Sequence, residues 1–183
     1  MRVTPFIFCA LLAACGAKKT EMFLITPPAA VDTLPNRLGQ VELRDVVLPQ
    51  YASASEIAVQ NATGGLVANS AQIWADLPVR AVTDVLASQI SALSGATVVA
   101  EPWPLSDGPD RVLEVRVQRI LAGSDGLFHL EGQYFVTRYA GDGGDVARRF
   151  DLSVPLTGTG PAAVADAQAR ALQALARQIA QLG

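Results

Sequence analysis

Residues 111–139 read RVLEVRVQRILAGSDGLFHLEGQYFVTRY, and this stretch decides the fold. Apolar and polar side chains alternate from Arg111 to Leu121, and the alternation returns from Leu127 to Tyr139. Alternation with a period of two is typical of a strand with one buried and one wet face. The glycines of segment 123–126 suit a turn between the two runs. The stretch therefore predicts two long antiparallel strands that pair with each other.

Further strands are predicted on both sides of this hairpin. A turn rich in Gly and Asp at 141–145 leads into a strand at Ala147–Val154, which completes a three-stranded meander. Earlier in the chain, short apolar runs bounded by Pro, Gly or other turn residues predict five more strands. These are Met22–Ile25, Gln40–Leu48, Glu56–Gln60, Leu66–Asn69 and Thr97–Ala100.

Two segments have the period of an amphipathic helix. The first follows Leu77, and we expect Asp76 to cap it and Gly95 to end it. Its apolar stripe is Val79, Val82, Leu86, Ile90 and Leu93, with Asp84, Ser88 and Gln89 off that face. The second helix follows Pro161 and runs to the end of the chain. Its stripe is Val164, Ala167, Ala171, Leu175, Ile179 and Leu182.

The order of these elements predicts an α+β fold. Strands, a helix, more strands and a final helix favour a two-layer sandwich, with a mostly antiparallel sheet and two amphipathic helices packed on one face. The other face of the sheet is expected to meet water or a partner. It carries Glu114, Arg116, His129, Glu131 and Gln133.

The N-terminus has the pattern of a secretory signal. Arg2 precedes an apolar run that is about half the ~20 residues needed to cross a membrane. The run ends in Leu12-Ala13-Ala14-Cys15, which matches the lipobox of bacterial lipoproteins. We therefore divide the chain into a signal peptide (1–14), a lipidated cysteine with its tether (15–21) and one domain (22–183). The alternative is an ordinary signal peptide with a chance cysteine.

Composition limits the chemistry and the partners of the mature chain. Without Arg2, 13 basic residues stand against 17 acidic ones, which argues against nucleic acid as a partner. Cys9 lies in the signal and Cys15 carries lipid, so no thiol is left for a disulfide. Stability is expected to come from packing.

Catalytic and cofactor motifs do not stand out in the sequence. The single histidine, His129, lies in the middle of a predicted strand, and the chain has no Gly-x-Ser-x-Gly elbow or Walker A loop. One histidine without a free cysteine also lacks the ligand spacing of a zinc site. We predict no enzyme, no metal and no cofactor. An acidic group beside His129 in a cleft would reopen the question.

The chain resembles the PqiC-like family, the ABC-type transport auxiliary lipoprotein components, also described as membrane integrity-associated transporter subunits. The resemblance covers nearly the whole mature length and rests on the order and spacing of several short pieces. Besides the lipobox and the long strand pair, these are Phe23-Leu24-Ile25, Val46–Tyr51, Ile73–Leu77, Glu101–Pro104 and Arg148–Phe150.

The resemblance implies a lipoprotein in the outer membrane, anchored through Cys15 and facing the periplasm. It implies a subunit of an intermembrane lipid transport system that docks a periplasm-spanning MCE-domain protein, supports envelope integrity and assembles as a homo-oligomeric ring. Gly16 after the cysteine also favours the outer membrane by the usual sorting rule.

Three aromatic residues are candidates for docking: Tyr51, Trp74 and Trp103 lie in or beside predicted loops. Each of them could equally cap the core. The alternative function is a periplasmic lipid-binding carrier lipoprotein, which would need an apolar cavity of at least ~300 Å³.

Overall fold

Eight strands, two α-helices and a 3-10 turn make up the residues that the computed structural model describes, which are 19–30, 32–140 and 144–182. The predicted signal peptide, Cys15 and part of the turn at 141–145 lie outside these ranges. The elements in chain order are β1 (Glu21–Phe23), β2 (Gln40–Leu43), the 3-10 turn (Gln50–Ala52), β3 (Glu56–Gln60), β4 (Leu66–Trp74), α1 (Pro78–Ser94), β5 (Thr97–Ala100), β6 (Arg111–Ala122), β7 (Leu127–Arg138), β8 (Val146–Pro155) and α2 (Pro161–Ala180).

The meander predicted from residues 111–139 is confirmed. β6 pairs antiparallel with β7, and β7 pairs antiparallel with β8. A β-bulge between Val117 and Arg119 shifts the alternation of β6 by one residue. Because of this shift, Ile120 returns to the buried face that Leu113 and Val115 share.

The other edge of β6 holds two separate branches of the sheet. β2 pairs in parallel with the first residues of β6, and β5 pairs in parallel with β2. β3 meets Ala122 at the far end, followed by β4 and then β1. The long ladders are antiparallel and the short strands join in parallel, so the sheet is mixed. The predicted α+β sandwich is confirmed.

Two strands have different bounds from those predicted. β2 ends at Leu43 because its ladder with β6 is interrupted: the Val46 N–H donates to Thr83 Oγ1 of α1 at 3.0 Å, and pairing with β6 returns only as a bridge between Val47 and Arg116. β4 continues past the predicted end at Asn69 because its last residues pair with β1.

The two helices pack against each other and against the sheet. Small side chains of α2, among them Ala167 and Ala171, are fully buried there, together with Leu172 and Leu175. α1 ends at Gly95, whose φ of 67° is the left-handed conformation that glycine tolerates best. None of the helices in the described ranges is long and apolar enough to span a membrane.

Two expectations about α1 were wrong. The N-cap residue is Leu77, and Asp76 lies one position earlier, where its carboxylate accepts the Leu77 N–H at 2.7 Å and pairs with Arg80. The bond from Arg80 lowers the pKa of Asp76. Gln89, predicted to lie off the buried face, is buried, and its Oε1 accepts a 3.2 Å hydrogen bond from Gln173 of α2.

Candidate contact surfaces at two poles

The direction of β6 gives the sheet two ends, which we call the N-terminal pole and the loop pole. The N-terminal pole lies beyond Ala122 and includes the turns 61–65 and 123–126 and the β8–α2 connection at 156–160. The loop pole lies before Arg111 and includes the loop 101–110 and residues 138–140. Among the exposed large apolar side chains of the described ranges, Leu66 and Val67 lie at the N-terminal pole, and Leu105 and Tyr139 lie at the loop pole.

The described chain begins on the side of the N-terminal pole. β1 runs parallel to β4, with Glu21 opposite Gln72 and Phe23 opposite Trp74. β4 itself starts at Leu66, next to the turn 61–65, and runs away from that pole. Glu21 is therefore the end of β1 that faces the N-terminal pole.

The N-terminal pole is apolar and uncharged over long stretches. Segments 57–75 and 152–165 contain no Asp, Glu, Lys or Arg. Leu66 and Val67, near the tip of the β3–β4 hairpin, are 45% and 47% exposed. Between this hairpin and the start of α2 lies a groove of about 450 Å³. Its apolar lining includes Ile57, Val59, Val67, Leu156, Pro161 and Val164.

The loop pole carries two aromatic side chains: Trp103, which belongs to the loop 101–110, and Tyr139, which packs against that loop. The Trp103 backbone N–H donates to Glu42 Oε2 at 3.0 Å, and its indole N–H donates to the Asp107 carbonyl at 2.5 Å. The ring of Tyr139 lies against Gly108, where an added Cβ would come within 2.9 Å of it. Tyr139 is 59% exposed and Leu105, on the same loop, is 51% exposed. This surface combines large apolar groups with a fixed loop.

The other two aromatic candidates lie together, away from Trp103. Tyr51 and Trp74 line one narrow crevice with Phe128. Trp74 is only 9% exposed and belongs to the core. Tyr51 is half-buried, and its hydroxyl oxygen accepts the Ile120 N–H at 3.0 Å, next to the bulge of β6. Tyr51 therefore has a structural role as the hydrogen-bond acceptor for the backbone of β6.

We expect Tyr51→Phe to lower the free energy of unfolding by about 1–3 kcal/mol, because it leaves a partly buried backbone N–H without its acceptor. Urea unfolding followed by circular dichroism measures the change. Tyr139→Phe is the matched control, since that side chain is largely exposed and should leave the midpoint unchanged. Equal midpoints for both variants would contradict the structural role of Tyr51.

His129 is not on a wet face as we expected, because two polar neighbours cover it. Its Nε2 lies 2.9 Å from Asp125 Oδ2 and its Nδ1 lies 3.2 Å from Ser153 Oγ. The Leu127 N–H and then His129 lower the pKa of Asp125. Ser, His and Asp thus meet, but the serine faces Nδ1 and the carboxylate Nε2, the reverse of a hydrolytic triad.

The position of the cluster in the sheet also differs from a catalytic site. His129 and Ser153 are direct partners in the β7–β8 ladder, and His129 lines none of the grooves described above. Its geometry is that of a cross-strand polar pair closed by a turn residue. Within the described ranges, no group of three His, Cys, Asp or Glu residues is arranged to hold a metal ion.

The fold and these surfaces define a class of protein: an α+β sandwich domain with candidate contact surfaces at opposite ends. Within that class, the chain belongs to the family of ABC-type transport auxiliary lipoprotein components, whose sequence profile matches residues 23–180. The resemblance to the PqiC-like family is thereby confirmed. The family is a transport component and not an enzyme class.

Two of the solved structures that match this chain, those with TM-scores above 0.6, share its fold. The crystal structure of an uncharacterized protein matches with a TM-score of 0.68 and 19% identity, over 81% of this chain and 94% of that one. A Xanthomonas campestris protein of the DUF330 family matches with a TM-score of 0.66 and 20% identity, over 84% and 90%. A PelC dodecamer from Paraburkholderia phytofirmans has a TM-score of 0.41 and 15% identity, over 86% and 90%. A search of curated proteins found no match.

Sequence reasoning missed Leu66, Val67, Leu105 and Tyr139 as surface residues. Leu66 and Val67 are signalled in the sequence by the long uncharged run around them. Leu105 and Tyr139 have no such signal, because only the tertiary structure brings residue 139 onto the loop 101–110.

Proposed function

We propose that the protein is an outer-membrane lipoprotein subunit of an MCE-type intermembrane lipid transport system. In this proposal a lipid on Cys15 anchors the domain on the periplasmic side, and the domain docks the periplasm-spanning MCE-domain protein and supports envelope integrity. The family membership supports a transport role. The arrangement of the two poles supports the division between anchor and docking surface.

The observation that carries the proposal is the position of the aromatic loop relative to the start of the domain. β1 begins at its end nearer the N-terminal pole, whereas Trp103 and Tyr139 lie at the opposite end of β6. A partner that spans the periplasm would meet the end of the domain farther from the membrane. Trp103 is half-buried and Tyr139 is exposed, and Trp and Tyr are among the side chains that most often dominate binding energy.

Tyr51 and Trp74 have a different place in the proposal. Both lie nearer the N-terminal pole, and only Tyr51 has a side chain exposed enough for a partner to contact. Tyr51 also lines a second groove of about 370 Å³ with Ala54 and Ala58. We propose that Tyr51 and this end of the groove, away from the hairpin tip, contribute to contacts in a homo-oligomeric ring, with Trp74 supporting them from the core.

Affinity purification of the lipidated protein from its native envelope, with mass spectrometry of proteins and lipids, tests the proposal. We expect an MCE-domain protein to copurify. Trp103→Ala combined with Tyr139→Ala should weaken its binding by roughly tenfold or more, since each hot-spot aromatic typically contributes more than about 1 kcal/mol. Val47→Ala, at a residue of comparable exposure outside the loop pole, is the control.

Retention of normal stability by the double variant, checked by thermal unfolding, separates lost docking from lost folding. Recovery of no MCE-type protein with lipidated wild type would contradict the proposed function. If the double variant copurified the MCE-domain protein as well as wild type does, the docking surface would lie outside the loop pole.

A lipid-binding carrier is the second candidate function, and one observation favours it. The groove between the β3–β4 hairpin and α2 has an apolar lining and about 450 Å³, above the ~300 Å³ that a small-molecule site needs. It lies at the rim of the sandwich, whereas side chains of α1 and α2 fill the space between helices and sheet. Stoichiometric phospholipid in the purified protein, without an MCE partner, would favour the carrier.

A further inference from the structure

Two segments that meet at the N-terminal pole lack charge to a degree that the composition does not explain, and the exposed carboxylates nearby are Asp125, in the turn 123–126, and Asp166, which accepts a hydrogen bond from Thr157. Charged residues are 17% of the chain, so about three would be expected in the nineteen residues of segment 57–75, which has none. Segment 152–165, fourteen residues long, has none either. The fold brings the two together, because both line the groove beside α2. A surface that excludes charge from two distant segments fits an apolar or interfacial partner.

The exposed side chains of this pole are of the kind that insert into an interface. Leu66 and Val67 are adjacent, so they point to opposite faces of the hairpin and make its end apolar on both sides. The turn beyond them, Asn61-Ala62-Thr63-Gly64-Gly65, has only small and uncharged side chains. Its Asn61 Oδ1 accepts the N–H groups of Thr63 and Gly65, which fixes its shape. The hairpin therefore ends in a defined, uncharged tip.

The position of Cys15 in the sequence connects this pole with the lipid anchor of the proposed function. Cys15 lies six residues before Glu21, a distance of at most about 20 Å in an extended chain. β1 runs parallel to β4, so Glu21 is the end of β1 nearer Leu66 and Val67. Lys18 and Lys19 lie between Cys15 and β1 and complement anionic lipid headgroups. The short spacing from Cys15 to Glu21, the direction of β1 and the charges of Lys18 and Lys19 all favour a lipid surface over another protein.

We infer that the N-terminal pole rests on the phospholipid surface that holds the Cys15 lipid, with Leu66 and Val67 inserted among the headgroups. The inference rests on the lipid anchor of the proposed function and adds an orientation to it. With this pole on the membrane, the long axis of β6 stands away from the bilayer and directs the loop pole into the periplasm.

Site-specific labelling of the full lipidated chain tests the contact. The mature protein has no other free thiol, since Cys9 is removed with the signal and the Cys15 sulfur carries lipid. Leu66→Cys and Val67→Cys are each labelled with a polarity-sensitive fluorophore in vesicles of phosphatidylethanolamine and phosphatidylglycerol. Leu105→Cys and Val47→Cys, of similar exposure, are the matched controls. We expect a blue shift and a severalfold loss of iodide quenching at positions 66 and 67, with no change at 105 or 47.

Each other outcome overturns the inference in a recognisable way. If the protein floats with the vesicles but the labels at 66 and 67 stay in water, the contact is refuted and the anchor is not. Protein that does not float would refute the anchor and the contact together. A shift that grows with protein density at fixed lipid would identify a second copy of the chain as the occupant. Docking of the MCE-domain protein is measured separately and does not depend on these results.

Discussion

Replacing Cys15 with serine should remove the lipid from the protein and almost abolish its recovery in the outer-membrane fraction. Each buried methylene of an acyl chain contributes about 0.8 kcal/mol to membrane binding, and more than one chain is needed for stable attachment. Loss of the acyl chains would therefore remove the proposed attachment of the protein to the outer membrane.

Density-gradient fractionation of the envelope and mass spectrometry of the mature N-terminus measure this effect. Cys9→Ser is the matched control, because it makes the same change inside the predicted signal peptide. We expect it to leave lipidation and location unchanged. If wild type itself were soluble and unmodified at Cys15, the ordinary signal peptide would be correct and the lipoprotein anchor wrong.

The meander was predictable because its signals are local. Period-two alternation fixes which face of β6 and β7 is buried, and glycines mark the turn between them. The apolar stripes of α1 and α2 are equally explicit, since most of their members are buried in the structure. In these elements the neighbours along the chain determine the conformation, so a single sequence is sufficient.

The pairing of the short strands could not be predicted, because it depends on contacts between distant residues. Nothing within Gln40–Leu43 indicates that it pairs in parallel with both β5 and β6. The same is true of Gln89, whose burial requires Gln173 on the other helix. His129 is buried because Asp125 and Ser153 close over it, although its place in the alternation predicts a wet face.

The candidate surfaces show the same difference between local signals and contacts of distant residues. Residue type and loop position were sufficient to single out Trp103, but they also singled out Trp74, which the fold buries. The uncharged runs 57–75 and 152–165 are visible in the sequence, yet only the fold shows that they share one pole. Composition therefore indicates that a surface is unusual, and topology decides which end of the molecule it occupies.

The largest loss of stability from a single added methyl group should come from Gly132→Ala in the middle of β7. A Cβ at this position would come within 2.7 Å of the Phe150 ring and 3.0 Å of Val117 Cα, and closer still to the carbonyl oxygen of Arg116. Two of these three neighbours are backbone atoms of β6 beside its bulge, so they cannot rotate away as a side chain could. Phe150 is buried and stacks on Tyr134. Relief of the clash therefore requires the β6–β7 ladder to separate.

We expect the free energy of unfolding to fall by about 3 kcal/mol or more for Gly132→Ala, at the upper end of the cost of overpacking. Gly158→Ala is the matched control, because its Cβ would meet only the Ala163 methyl at an ordinary 3.7 Å. Urea unfolding of both variants gives the comparison. Midpoints that agree would mean that β6 and β7 lie farther apart at the bulge than described. A large difference would show that the bulge of β6, which returns Ile120 to the core, requires glycine on the facing strand.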